Sequence, residues 1–110
     1  MQNNKALSLL GLCMKAGKVK SGAFAATDAI KSFKACFVII AADASDNSKK
    51  EFTNMCSFYE VPYWIYSDKV NLGRAIGKEE RTVVAVCDEG FASSFEKIRS
   101  QLESSGKVSE

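Results

Sequence analysis

The run CFVIIAA, residues 36–42, offers no polar position at which one side of a strand could face water. Its β-branched centre, Val38-Ile39-Ile40, favours extended backbone, and apolar side chains pointing to both faces need cover on both. The run is therefore expected as the central strand of a sheet held between helices. A helix reads on each side of it. Gly22 opens one that runs to about Phe33, with Ala23, Ala26, Ala29, Ile30 and Phe33 as its expected buried side. After the strand, DASDNS at 43–48 is a turn and capping cluster, although Lys49 stands where a capping box begun at Asp46 would need glutamate. The helix beyond it puts Phe52, Met55, Cys56 and Tyr59 on one stripe.

Farther out the same alternation continues. Residues 5–16 place Ala6, Leu9, Leu10, Cys13, Met14 and Ala16 on a broad helical face, with Gly17 as the C-cap. Residues 18–21 form a short extended or loop piece. Val61-Pro62 interrupts the third helix, and Tyr63 to Tyr66 is a short aromatic strand. Ser67 or Asp68 caps a short helix ending near Gly77, and TVVAVC at 82–87 is another apolar strand. In the last helix, starting around Gly90, the stripe Phe91, Phe95, Ile98 and Leu102 has helical spacing. Helices alternating with buried strands predict the α/β class: a three-layer α/β/α sandwich with a mixed sheet of about four strands. One domain is expected over residues 1–104, with 105–110 as a frayed tail.

The chain has 110 residues, 46% of them apolar, which suits a single packed domain. Its net charge of +2 hides an asymmetry. Residues 1–42 carry six lysines and one acid, Asp28, whereas residues 43–110 carry nine bases and twelve acids. A basic N-terminal part suggests a polyanion as partner, and solvated lysines give the same pattern. There is no histidine, and the four cysteines form no CxxC pair. Zinc ligation of those types and histidine base catalysis are excluded, and buried free thiols in a reducing cytoplasm are expected. Ser8 and Gly11 break the only N-terminal apolar stretch, and CFVIIAA is too short to cross a bilayer. The expectation is a cytoplasmic protein with no membrane partner.

Three strand-to-helix junctions carry the candidate chemistry. In GKVKSGAFAATDAIK, residues 17–31, Lys18 and Lys20 stand just before a helix start whose unpaired amides favour an anion. The spacing is not that of a Walker loop, and a capped helix with two solvated lysines fits as well. Phe24 points away from the buried side, near Thr27 and Lys31, free to stack on a base or to pack under a loop. In the 43–50 segment, Asn47, Ser48, Lys49 and Lys50 read equally as anion ligands and as capping residues. In CDEGFA, residues 87–92, Gly90 permits close backbone approach, Asp88 and Glu89 offer acceptors, and Phe91 starts the core stripe of the last helix. Arg74, Lys78 and Arg81 form a basic cluster offset by Glu79 and Glu80. Tyr59, Tyr63, Trp64 and Tyr66 form an aromatic patch suited to core packing, with Trp64 as a candidate for a protein interface. No spacing singles out a catalytic residue or cofactor site, so an enzyme is not expected.

Taken in order, AGKVKSG at 16–22, DAIKSFKACFVIIAADASDNSKK at 28–50, VPYW at 61–64, NLGRAIGK at 71–78 and VVAVCDEGF at 83–91 resemble the L7Ae/L30e family of small RNA-binding proteins. The resemblance is to its bacterial, ribosomal-protein-like members. It implies binding to kink-turn or related internal-loop RNA, ribosomal RNA or a translation-associated protein as partner, and neither DNA nor a cofactor. A monomer is expected. Family members read guanines through a Gly-x-Asn-Glu signature, which falls here on Gly22, Ala23, Phe24 and Ala25. Glycine is kept, but a phenyl ring and a methyl group replace the amide and carboxylate, so base readout is expected to be altered. The resemblance matches Lys20 and Lys31 to basic, phosphate-contacting positions; Lys18 and Ser21 beside the helix start, and Asn47, Lys49 and Lys50 on the same broad face, are further expected RNA contacts. It also implies that the loop Asp88, Glu89, Gly90 and Phe91 packs on a flipped-out nucleotide. The rival reading is a protein–protein interaction module on the same scaffold.

Overall fold

The computed structural model describes residues 4–108. The chain runs α1 (Lys5–Lys15), β1 (Val19–Ser21), α2 (Ala23–Lys31), β2 (Phe37–Ile40), α3 (Asp46–Phe58), β3 (Tyr63–Ile65), α4 (Lys69–Ala75), β4 (Val83–Val86) and α5 (Glu89–Val108). The four strands form one mixed sheet of order β1-β4-β2-β3. β4 is antiparallel to both β1 and β2, whereas β3 runs parallel to β2. Every residue of β2 and β4 is buried, as apolar side chains on both strand faces demand. Cover comes from α2 with α3 and from α1 with α4 and α5, the two packed groups of helices. The three-layer α/β/α sandwich with four mixed strands is therefore observed.

Most helix starts are local acts of side-chain capping. The side chain of Asn4 accepts from the Leu7 amide, Ser45 from Ser48, Asp68 from Asn71 and Asp88 from Phe91, at 2.8–3.1 Å. Ser45, one residue ahead of Asp46, thus resolves the start of α3. The wheel for α2 needs a correction. Ala26, Ala29 and Ile30 are buried, but Ala23 is exposed and Phe33 is 76% exposed. The helix stops at Lys31, and Phe33 lies beyond its C-cap with φ of 63°, so helical spacing no longer governs where that ring points. At the C-terminus the backbone of residues 105–108 continues α5, and residues 109–110 of the expected tail lie outside the described residues.

The core fills both sides of the sheet with Leu10, Ile30, Phe37, Ile39, Leu72, Val84 and Phe95, all essentially inaccessible. Phe37 and Phe95 stack at 5.6 Å, and Arg99 lies over the Phe37 ring while donating to the Tyr63 carbonyl. Among the described residues no helix is long and apolar enough to cross a membrane.

Register gives the sheet two distinct ends. At the first, the Gly22 amide donates to the Val83 carbonyl (2.9 Å) and the Ala41 amide to Thr82 (2.8 Å). At the second, Cys87 donates to Lys18 (2.8 Å) and Cys36 to Val86 (2.7 Å). About 3.3 Å of rise per strand residue puts roughly 13 Å of β4 between them.

Candidate functional site

The first end of the sheet holds an open cleft of about 560 Å³ where the β1–α2 junction, α3 and the link before β4 meet. Gly22 shapes one wall. With φ of 94° and ψ of 161° it occupies backbone space that side-chain-bearing residues avoid, and it turns the chain from β1 into α2 while keeping its bond to Val83. Having no side chain, it gives α2 no side-chain cap. The first bond inside the helix runs from the Ala26 amide to the Gly22 carbonyl, so the Ala23, Phe24 and Ala25 amides lack intrahelical acceptors. All three residues line the cleft, where those amides and the helix dipole favour an anion.

The neighbouring start of α3 is different, although the sequence offered the two as similar candidates. Ser45 already accepts the Ser48 amide, and the Lys49 ammonium donates to the Ala42 carbonyl at 3.0 Å. Ser48 lines the cleft, while Asn47 and Lys50 are exposed on the same first turn. One amide of the α3 start is therefore already taken by a side-chain cap, whereas the α2 start has none.

Arg81, which sequence reading placed only in a basic cluster, lines the same cleft as Gly22. Its backbone amide donates to the Lys69 carbonyl, its Nη1 to the Glu80 carbonyl (2.9 Å), and its Nε to the Ser21 hydroxyl (3.3 Å). The guanidinium is thus tethered beside the α2 start with donors to spare. The link that carries it rests directly on α4. A Cβ at buried Gly73 would lie 1.7 Å from the Glu79 carbonyl oxygen, and the Lys78 amide donates to the Gly73 carbonyl. Arg81 joins Ser21 only because β1 and β4 are neighbours, a pairing that no local pattern announces.

The ring of Phe24 is 88% exposed at this end. Lys20 is exposed on edge strand β1 directly before Ser21. Lys31 is exposed on the same helical side as Phe24, two turns and roughly 10 Å along α2. Lys18 and the 88–91 segment are not part of the cleft. Lys18 bonds Cys87 at the second end, and Asp88 caps α5 there by accepting from Phe91 (2.9 Å). Glu89 and Gly90 are exposed, while Phe91 packs against the core. Residues 88–91 thus lie at the opposite end of the sheet from the α2 start, because β4 carries the chain from one end to the other.

The thiols are poor nucleophiles. Burial pushes Cys13 up to about 12, aided by the charge of Asp88, and Cys56 up to about 11. Burial also raises Cys36 and Cys87, both half-buried. Among the described residues no three His, Cys, Asp or Glu side chains gather where they would hold a metal. What the cleft offers is recognition: three amides, a tethered guanidinium, a hydroxyl and an exposed ring.

Comparison with known proteins fits this arrangement. The family model described as "Ribosomal protein L7Ae/L30e/S12e/Gadd45 family" matches residues 4–96. The RNA-binding protein YlxQ of Bacillus subtilis (strain 168) is 46% identical over 85 residues, covering 77% of this chain and 85% of the relative. The RNA-binding protein YlxQ of Enterococcus faecium is 37% identical over 94 residues, 86% of this chain and 90% of its own. A solved structure of a Bacillus halodurans protein of unknown function superposes with a TM-score of 0.83 at 35% identity, over 86% of this chain and 96% of that one.

Proposed function

Since the chain belongs to the ribosomal protein L7Ae/L30e/S12e/Gadd45 family, we propose that it binds structured RNA non-covalently through the cleft at the α2 start. Its target on this reading is a kink-turn or related internal loop, bound in a cytoplasmic, translation-associated setting. The observation that carries it is the uncapped start of α2 sharing one cleft with the tethered Arg81. A sharply bent RNA crowds phosphates together. The free amides, Arg81 and Lys20 are placed to receive them, and Lys31 to meet a stem following α2. The names of the two YlxQ relatives, both RNA-binding proteins, support the same reading.

The side chains at the cleft also define how recognition differs from polar base reading. Phe24 and Ala25 present no amide or carboxylate to a base edge, and Phe24 presents an exposed face instead. Stacking on an aromatic ring contributes about 1–3 kcal/mol per base and tolerates any base. The protein then reads the bend by shape and phosphate position, with Phe24 holding an unstacked base.

A gel-shift titration at two salt concentrations tests this. It compares a kink-turn RNA with the same RNA after its G·A pairs are replaced by Watson–Crick pairs, using wild type and Phe24→Ala. Wild type should prefer the kinked RNA, and Phe24→Ala should lose roughly tenfold in affinity, the lower half of the stacking range. Equal binding to both RNAs would refute kink recognition, and an unchanged Phe24→Ala would remove the ring from the interface.

A further inference from the structure

At the second end of the sheet, away from the α2 start, lies a groove of about 410 Å³ with a different character. α2 and α3 both end beside it, and the residue just past each C-cap, Phe33 and Glu60, takes a left-handed φ of 63° and 59°. Glycine is the usual occupant of that position, because a side chain there is strained. Here the strain sets an aromatic ring and a carboxylate into one groove. Phe33 meets Tyr59 edge-on at 5.6 Å, and Tyr59 meets Phe58 at 5.0 Å, giving a continuous aromatic surface. Phe33 and Phe58 are 76% and 79% exposed, so water covers most of it.

The rim is acidic. Glu60, Glu89 and Glu96 line the groove and are exposed, and among the described residues no lysine or arginine lines it. Lys34, next to Phe33 in sequence, lies within Coulombic reach of Cys87 and does not line the groove. Carboxylates around aromatic rings repel a phosphate backbone and suit a cation that also stacks. A guanidinium does both: its plane lies on a ring while its N–H fork pairs with a carboxylate, whereas an ammonium is a strongly hydrated point charge.

We infer that this groove docks an arginine-rich segment of a protein partner, with guanidinium groups over Phe33 and Tyr59 and paired to Glu60, Glu89 and Glu96. The site is separate from the proposed RNA cleft, being at the other end of β4, so RNA and the basic segment bind together without competing. The chain then couples a folded RNA to a basic protein, and the groove stands whether or not kink-turn recognition does.

The test uses the full chain and a short labelled peptide of alternating arginine and leucine, blocked at both ends, with a glutamate-for-arginine version as control. Fluorescence anisotropy should show saturable binding in the micromolar range. Amide shifts should centre on residues 33, 59, 60, 89 and 96, and the acidic peptide should stay silent. The double variant Glu60→Gln/Glu89→Gln should weaken binding by roughly tenfold, as loss of two charge-assisted contacts requires. Phe33→Ser, at an exposed position, should do likewise with melting unchanged. Undiminished binding by either variant, shifts confined to residues 20–25, or equal binding of the acidic peptide would each overturn the inference.

Discussion

Gly73→Ala adds one methyl group to a buried helical position and should both destabilise the fold and loosen the RNA cleft. The new Cβ would lie 1.7 Å from the Glu79 carbonyl oxygen and 2.6 Å from its carbon, against a floor of 3.0 Å for real Cβ contacts. Moving from 1.7 to 3.0 Å means a retreat of about 1.3 Å, and the atom in the way is backbone, which has no rotamer to change. Overpacking of this kind costs about 1–3 kcal/mol. Displacing the link also strains the bond from the Lys78 amide to the Gly73 carbonyl, worth about 1 kcal/mol more. Alanine's better helix propensity returns up to about 1 kcal/mol. The net is a loss of about 1–3 kcal/mol, or a fall of roughly 5–20 °C in Tm for a domain this size. Urea unfolding should show a lower midpoint with an unchanged slope, and gel shifts at matched folded fraction should show weaker RNA binding because Arg81 rides on the displaced link. Gly90→Ala is the milder comparison: its nearest neighbour, at 3.2 Å, is the Asp88 side-chain oxygen that accepts the Phe91 amide, so a smaller loss is expected there, through the α5 cap. If Gly73→Ala matched wild type within about 0.5 kcal/mol, the ordinary scatter of surface changes, the close approach of link and helix would be refuted.

Three further outcomes follow from the geometry. Arg81→Ala and Lys20→Ala should each reduce the logarithmic salt slope of RNA binding by about 0.7–1, while Lys18→Ala, at the other end of the sheet, should leave it unchanged. The backbone amide of Asn71, then its side chain, holds the Asp68 carboxyl below its ordinary value of 3.8. Its stabilising contribution is therefore complete above that value and lost as pH falls through the lower folded pKa. Asp68→Asn should keep the cap near neutrality and flatten the acid limb of a stability–pH curve measured by urea unfolding. In a thiol-reagent titration of native protein at pH 8, Cys36 and Cys87 should react first. Cys13 and Cys56, shifted to about 12 and 11, should wait for unfolding; rapid reaction of all four would contradict their burial.

The layered fold was legible because its signals are local and redundant. CFVIIAA and TVVAVC admit only strands covered on both faces, and Asn4, Asp68 and Asp88 mark helix starts through side chains within three residues of their partners. Phe24 could be placed outside the core because it sits within the regular part of α2. Phe33 could not, since its direction depends on one left-handed residue after the helix has ended. The site was legible only in its first half. Gly22 and the amides after it follow from sequence, but Arg81 reaches Ser21 through the β1–β4 pairing, and residues 88–91 leave the cleft through the same strand. Which junctions share an end is set by strand order and direction, and those are decided by contacts between distant parts of the chain.

That dependence on distant contacts has a consequence for timing. β1 is an edge strand whose only sheet neighbour is β4, and the Gly22 amide finds its acceptor on Val83. A growing chain that has left the ribosome as far as β2 already displays Lys20, Gly22 and Phe24, yet it has neither the strand that holds them in register nor the arginine that lines the cleft. The cleft is assembled only when β4 inserts between β1 and β2, which waits until the chain has been made as far as Val86. Half-made copies therefore carry the charges for RNA without its recognition surface, and selectivity arrives late, in a single step.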